Sequence, residues 1–383
     1  MKVAHLIKTG SGATWAIRQM EALRALGVEV EVVLAESGPK LAEYEAANIP
    51  VHLVPSDLAR LRTPGKFLAA RSEFRRTIDR IAPDIIHAHF VGSAMFARLA
   101  LRPGSRVPRL FQVPGPLHLE NAVTRRAEIV TADARDRWIA TCALTKRIYE
   151  TAGVAPGRVA LCYYGARLEP LTQGNPARLR AELARFPATT KLIGSIAFFY
   201  PPKRWLGQTR GLKGHEDLID AVALLRGEGR DVAAVFAGAA WGAGQRYEAE
   251  VRAYAAEKLG DRAVFLGFRS DVPDIYAGLD LAVHPSLSEN LGGAGESLAA
   301  GTPTLASRTG GLPDVVRHGE TGLLFRPADP ADLAAQLRRA LDQPDEGRTM
   351  AAAGQAWVLE HLSVDRTARE IAELYSAVAA GRF

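Results

Sequence analysis

Cysteine is scarce: Cys142 and Cys162 are the only two in 383 residues, and no C-x-x-C occurs. A disulfide framework and a cysteine-built zinc cluster are therefore excluded, and a reducing compartment is expected. Long apolar runs are missing as well. No stretch approaches the ~18 uninterrupted apolar residues that a spanning helix needs. The opening MKVAHLIKTGSG reaches glycine too early for the apolar core of a signal peptide and reads as a buried first strand. A cytoplasmic chain is the expectation. Low-complexity tracts and short-period repeats do not occur either, which removes fibrous and solenoid architectures.

What is present is ordinary globular usage, with 48% hydrophobic and 23% charged residues, and the length suits two domains of ~150–200 residues. Charge is uneven. Residues 1–186 carry 27 Lys and Arg against 17 Asp and Glu, a net of +10, whereas residues 187–383 carry 21 against 25, a net of −4. A basic first half points to an anionic surface or substrate. The densest patch holds Arg60, Arg62, Lys66, Arg71, Arg75, Arg76 and Arg80 against Asp57, Glu73 and Asp79, with Phe67, Leu68 and Phe74 among them. It fits a solvated helix face or an anionic membrane surface with apolar anchorage. Nucleic acid is not expected, because no binding motif accompanies the charge.

Short β-branched runs bounded by glycine or proline alternate with stretches of helical spacing. KVAHLI, VEVEVVLA, VHLVP, IIHAHF, RLFQVP, RWIATC and VALCYYG form one strand series. KLIGSIAFF, VAAVFAG, AVFLGF, LAVHPS, TPTLAS and GLLF form a second. Such alternation gives parallel sheets joined by helical crossovers, so two Rossmann-like α/β domains are predicted. Residues 169–189 break the rhythm and read as an interdomain linker. The expected division is 1–180, 181–363 and a terminal helix within 364–383.

Gly10-Ser11-Gly12 follows the first strand and opens a helix, a turn whose N–H groups suit phosphate. Trp15 stands where the dinucleotide fingerprint wants a third glycine, so a tight turn without ligand competes with a phosphate loop. His87 and His89 alternate with apolar residues at a strand end. With no carboxylate or third histidine at ligand spacing, they read as sheet-end residues and not as metal ligands.

The run HPSLSENLGGAGESLAAGTPTLASRTGGLPDVVRHGETGLLF at 284–325 is more specific. It resembles the PSxxEgxG…EAxAxGxPV signature of family-4 retaining glycosyltransferases of the GT-B fold, and the likeness extends over nearly the whole chain. That resemblance implies two domains facing a cleft, a terminal helix crossing back to the first domain, and a nucleotide-diphospho-sugar as substrate, UDP-linked in preference to GDP-linked, with no resident cofactor. Asn290, Leu291, Gly292 and Gly293 would let the backbone approach the diphosphate at a helix start. Glu296 would bind ribose hydroxyls, and Glu289 would face the transferred sugar. The two glutamates stand seven positions apart here, against eight in most of the family.

Further roles rest on the same likeness. Lys213, before Gly214, matches the lysine that neutralises departing phosphate; Arg204 and Arg210 both qualify as its partner, with Arg210 favoured. No D-x-D occurs, which fits charge stabilisation without a metal. Arg269 follows AVFLGF beside the expected nucleobase position, a surface arginine being the competing reading, and Gly10 and Gly12 complete the donor-side set. His118, in the loop after RLFQVP, would face sugar and acceptor, with Glu120 orienting it or binding acceptor. The acceptor would be lipid-linked or a saccharide, met at the inner face of the cytoplasmic membrane. A nucleotide-sugar epimerase of the same fold and a non-catalytic nucleotide-sugar or glycan binder are the rival readings. Lys213, Glu289 and Glu296 weigh against the binder.

Overall fold

Each of the apolar runs forms a strand in the computed structural model, which describes all residues except 57, 59–62, 102–104, 203, 205–207 and 243. Arg60, Arg62 and Asp57 of the basic patch thus lie outside the described residues. The chain forms two units, residues 1–166 with 362–383, and residues 167–361.

In the first unit the strands are β1 (Lys2–Ile7), β2 (Glu29–Leu34), β3 (Val51–Leu53), β4 (Ile85–Ala88), β5 (Arg109–Gln112), β6 (Asp136–Ala140) and β7 (Val159–Leu161). Their order is β3-β2-β1-β4-β5-β6-β7. The second unit holds β8 (Lys191–Ile196), β9 (Val232–Ala237), β10 (Ala263–Gly267), β11 (Leu281–His284), β12 (Thr304–Ser307) and β13 (Leu323–Phe325), ordered β10-β9-β8-β11-β12-β13. Every pairing is parallel. Helices cover both faces, so consecutive strand residues such as Val32, Val33 and Leu34 are all fully buried. Each order reverses direction once, between β1 and β4 and between β8 and β11. Ligands of such sheets gather beyond the strands' carboxyl ends at this reversal.

Three features differ from the sequence reading. Residues 169–189 are not a linker but part of the second unit. Helix Pro176–Glu182 packs there, and Leu171, Leu179, Leu183 and Phe186 are buried. The strand rhythm is lost because this stretch is helical. Phe67 and Phe74 of helix Pro64–Ile81 point inward, Phe74 fully buried and Phe67 edge-on to Phe96 at 5.7 Å. Only Leu68 of the three apolar residues is exposed. Finally, His87 and His89 do have a third histidine. His5 of β1 lies opposite His87 in register, and all three are fully buried. Eighty-odd residues of separation hid it.

Helix Val364–Ala379 belongs to the first unit, where Ala368, Ile371, Tyr375 and Val378 join Val3, Ile7 and Ile85 in one core cluster. Burying each large apolar side chain contributes roughly 1.5–3 kcal/mol, so this segment is integral to the unit.

Candidate functional site

The reversal between β8 and β11 in the second unit opens on a cavity of about 190 Å³. Its walls come from the ends of the two strands (Ser195 to Phe198, His284 to Ser286), Tyr200, Lys213, Glu289, Gly293 and Glu296. Parallel strands deliver these segments to one edge, which is why Lys213 and Glu289, 76 positions apart, converge.

Lys213 is placed by the glycine after it. Gly214 has φ of +65°, and a Cβ there would stand 2.0 Å from the Pro285 carbonyl oxygen. Only glycine lets the Lys213 loop pass that close to the loop after β11. Lys213 Nζ then pairs with Glu289 Oε2 and lies 5.7 Å from the centre of the Tyr200 ring, a favourable position for a cation. Glu289 also accepts from Ser286 Oγ at 3.2 Å and from the Asn290 N–H at 3.0 Å. Burial works to raise the Glu289 carboxyl, but the Lys213 charge and these hydrogen bonds outweigh it and hold it below the usual carboxylate range. Glu289 is therefore ionised at neutral pH.

The Glu289–Gly293 turn is tight against its own side chain. Gly292 has φ of +52°, where a Cβ would come within 2.8 Å of Glu289 Cδ. Leu291 is buried beneath the turn, and the Asn290 carbonyl accepts the Gly311 N–H at 3.1 Å. Glu296 enters the cavity from a helix of only six residues, Ala294–Ala299. Below it, fully buried Tyr276 donates to the Gly293 carbonyl at 3.3 Å. Burial, aided by the Glu296 charge, raises Tyr276 and keeps it protonated. His284 Nε2 sits 2.9 Å from Ser297 Oγ, and burial pushes the imidazole down to about 4, so it is neutral at pH 7.

The structure thus brings Lys213, Glu289, Gly293 and Glu296 together and puts Asn290, Leu291 and Gly292 in the adjoining turn. Other donor-side residues stand apart from the cavity walls. Arg210 spans Asp217 and Asp220, with both contacts at 2.6 Å. Arg204 is exposed and lines a different hollow with Arg246, Tyr247 and Glu250. Arg269 is held by Asp271 and Glu182 at 2.6–3.0 Å. Gly10 and Gly12 lie in the first unit. There Gly10 packs on the Ser37-Gly38 backbone and accepts the Lys40 N–H at 2.9 Å. His118 and Glu120 share the short helix Leu117–Glu120 of that unit. His118 is half-buried, with Nε2 3.4 Å from the Tyr149 hydroxyl, and burial pushes it down to about 4. It too is a neutral imidazole at pH 7.

Sequence reasoning missed Tyr200, His284 and Ser286. The available signal was positional, since His284 ends β11 and Tyr200 and Ser286 follow the strands flanking the reversal.

The paired parallel-sheet units place the chain among GT-B structures. It is similar to HepE of Anabaena in complex with UDP, with a TM-score of 0.84 at 23% identity over 98% of this chain and 100% of that one. It is similar also to sucrose-phosphate synthase of Thermosynechococcus elongatus, with a TM-score of 0.79 at 23% identity over the full length of both. Residues 205–357 match the profile "Glycosyl transferases group 1" and residues 12–169 the profile "Glycosyltransferase Family 4". The chain belongs to the family-4, group 1 glycosyltransferases. Among curated relatives, the 2-deoxystreptamine glucosyltransferase of Streptomyces kanamyceticus is 28% identical over 92% of this chain and 95% of its own. The D-inositol 3-phosphate glycosyltransferase of Nocardia farcinica is 28% identical over 96% and 85%.

Proposed function

We propose that this glycosyltransferase moves a sugar from a nucleotide-diphospho-sugar to a lipid-linked or saccharide acceptor with retention of anomeric configuration, in glycolipid, lipopolysaccharide or exopolysaccharide assembly. The observation that carries the reading is the Lys213–Glu289 salt bridge in one cavity with Glu296. A diphosphate entering this cavity offers Lys213 a second anion, and the cation then stabilises the charge that grows as the sugar leaves. Glu289, released in part from Lys213, accepts from sugar hydroxyls and stabilises positive charge at the anomeric carbon. Glu296 takes the ribose hydroxyls. The leaving phosphate helps deprotonate the acceptor hydroxyl on the same face, so no covalent glycosyl intermediate is required. His118 binds a donor or acceptor hydroxyl as a neutral imidazole.

UDP is the favoured nucleotide, as neighbours of this fold are known with UDP and UDP-glucose. The relatives named for 2-deoxystreptamine and inositol phosphate support a polyhydroxylated ring as the acceptor's reacting part. With a lysine meeting the diphosphate, turnover should be insensitive to added Mg²⁺ or Mn²⁺.

The test is incubation with UDP- and GDP-sugars, with and without glycolipid and saccharide acceptors, reading free nucleotide and donor configuration. Acceptor-dependent nucleotide release supports the reading. Epimerised donor without release, or binding without turnover, overturns it.

A further inference from the structure

The other sheet reversal, between β1 and β4, is occupied by His5, His87 and His89, whose candidate ligand atoms all lie within 4.8 Å of one another. We propose that these imidazoles hold a divalent transition-metal ion, Zn²⁺ by preference, through His5 Nδ1, His87 Nε2 and His89 Nε2.

The hydrogen bonds around the cluster leave these three nitrogens facing inward. The Tyr164 hydroxyl donates to the Gln112 carbonyl at 3.3 Å. It therefore accepts from His89 Nδ1–H at 3.4 Å, which leaves Nε2 of His89 as a lone pair. The Tyr375 hydroxyl lies 2.5 Å from His87 Nδ1 and 3.5 Å from His5 Nε2. That engages the outer nitrogen of both rings. The Gln112 side chain interacts with the His87 ring, but no hydrogen bond of normal geometry reaches His87 Nε2, which stays buried. A polar atom so placed is costly unless something meets it. His5 Nδ1 faces His89 Nε2 at 2.8 Å. Moving one proton from Nδ1 to Nε2 of His5 turns all three inward nitrogens into lone pairs, and no proton leaves the protein.

Each inner nitrogen thus has its ring's other nitrogen tied to a tyrosine hydroxyl, the outer-shell arrangement that fixes tautomers in metal sites. Imidazole ligands suit Zn, Cu, Fe and Ni. Zn–N bonds of about 2.0–2.1 Å place tetrahedral ligand nitrogens roughly 3.3 Å apart, so His5 and His89 would part by about half an ångström. Because the rings are fully buried, the ion enters as the unit folds or opens locally. Once bound it ties β1 to β4 and, through Tyr375, braces helix Val364–Ala379. This site lies within the first unit.

The test is refolding of the full chain with Zn²⁺ or Co²⁺, dialysis, elemental analysis and visible spectroscopy. Stoichiometric retained Zn²⁺, a raised Tm and the intense visible bands of tetrahedral Co²⁺ are expected. His87→Gln should lose them while far-UV circular dichroism stays unchanged. Should that variant misfold, the Co²⁺ spectrum of the unsubstituted chain decides alone. Folded protein that retains no metal and shows no bands overturns the proposal and leaves a neutral hydrogen-bonded cluster. Equal retention in folded His87→Gln overturns it too, by placing the ion elsewhere.

Discussion

At the scale of single residues, Lys213 and Glu289 share a bond but are assigned opposite tasks, and substitution separates them. Lys213→Ala should lower kcat by ~10²-fold or more, the usual loss when a charge-stabilising group is removed, with unfolding behaviour unchanged. Glu289→Gln should damage transfer yet leave calorimetric binding of UDP intact or tighter, since a carboxylate that competes for Lys213 is gone. Glu296→Ala should instead weaken UDP binding. Acid is expected to destabilise the second unit. His215 stacks on Phe199 at 4.2 Å and is pushed down to about 3 by burial and the Lys213 charge. The unfolded chain binds that proton near pH 6.5, so the stability is full above 6.5 and is lost as pH falls toward 3. One such group costs on the order of 2 kcal/mol by pH 5. Urea unfolding at pH 7.5 and 5 should show the drop, reduced in His215→Phe. Lys213, Glu289 and Glu296 were legible through the family resemblance, because two local motifs, one before Gly214 and one within 284–325, carry them. His5, 82 positions from His87, was not, because strand register and not spacing joins the two.

At the scale of elements, all 13 strands among the described residues could be read from β-branched runs and their glycine or proline boundaries. Residues 169–189 could not, because their helix is short and its burial depends on contacts made far along the chain: Arg178 to Asp274 at 2.8 Å, and Gly174 against Pro273. The family resemblance likewise favoured Arg210 over Arg204 as a phosphate ligand, whereas helix His215–Gly227 supplies the two carboxylates that engage Arg210. The loop before that helix gives a sharp test. Gly214→Ala combines positive φ with a steric clash at Pro285, so it should lower stability by a few kcal/mol and reduce turnover by displacing Lys213. Equilibrium unfolding and kcat measured on one preparation check both effects. In the terminal helix, Ile371 is fully buried. Ile371→Ala should cost ~2–5 kcal/mol, read as a lowered urea midpoint.

At the scale of the molecule, charge follows the units. The first carries 26 Lys and Arg against 18 Asp and Glu, a net of +8, and the second 22 against 24, a net of −2. No helix among the described residues is long and apolar enough to cross a membrane. With Phe67 and Phe74 turned inward, any membrane contact of helix Pro64–Ile81 rests on charge and Leu68. Flotation with anionic liposomes should therefore be nearly abolished at ~0.5–1 M salt, and a salt-insensitive fraction would contradict that reading. The central claim is retaining transfer driven by the Lys213 cavity. Its most direct test is proton NMR of the first-formed product, with whichever nucleotide sugar the chain turns over, for the unsubstituted protein and Lys213→Ala. The expected product is a glycoside of the donor's own anomeric configuration, formed at least ~10²-fold more slowly by the variant. An inverted product, or equal rates, would contradict it.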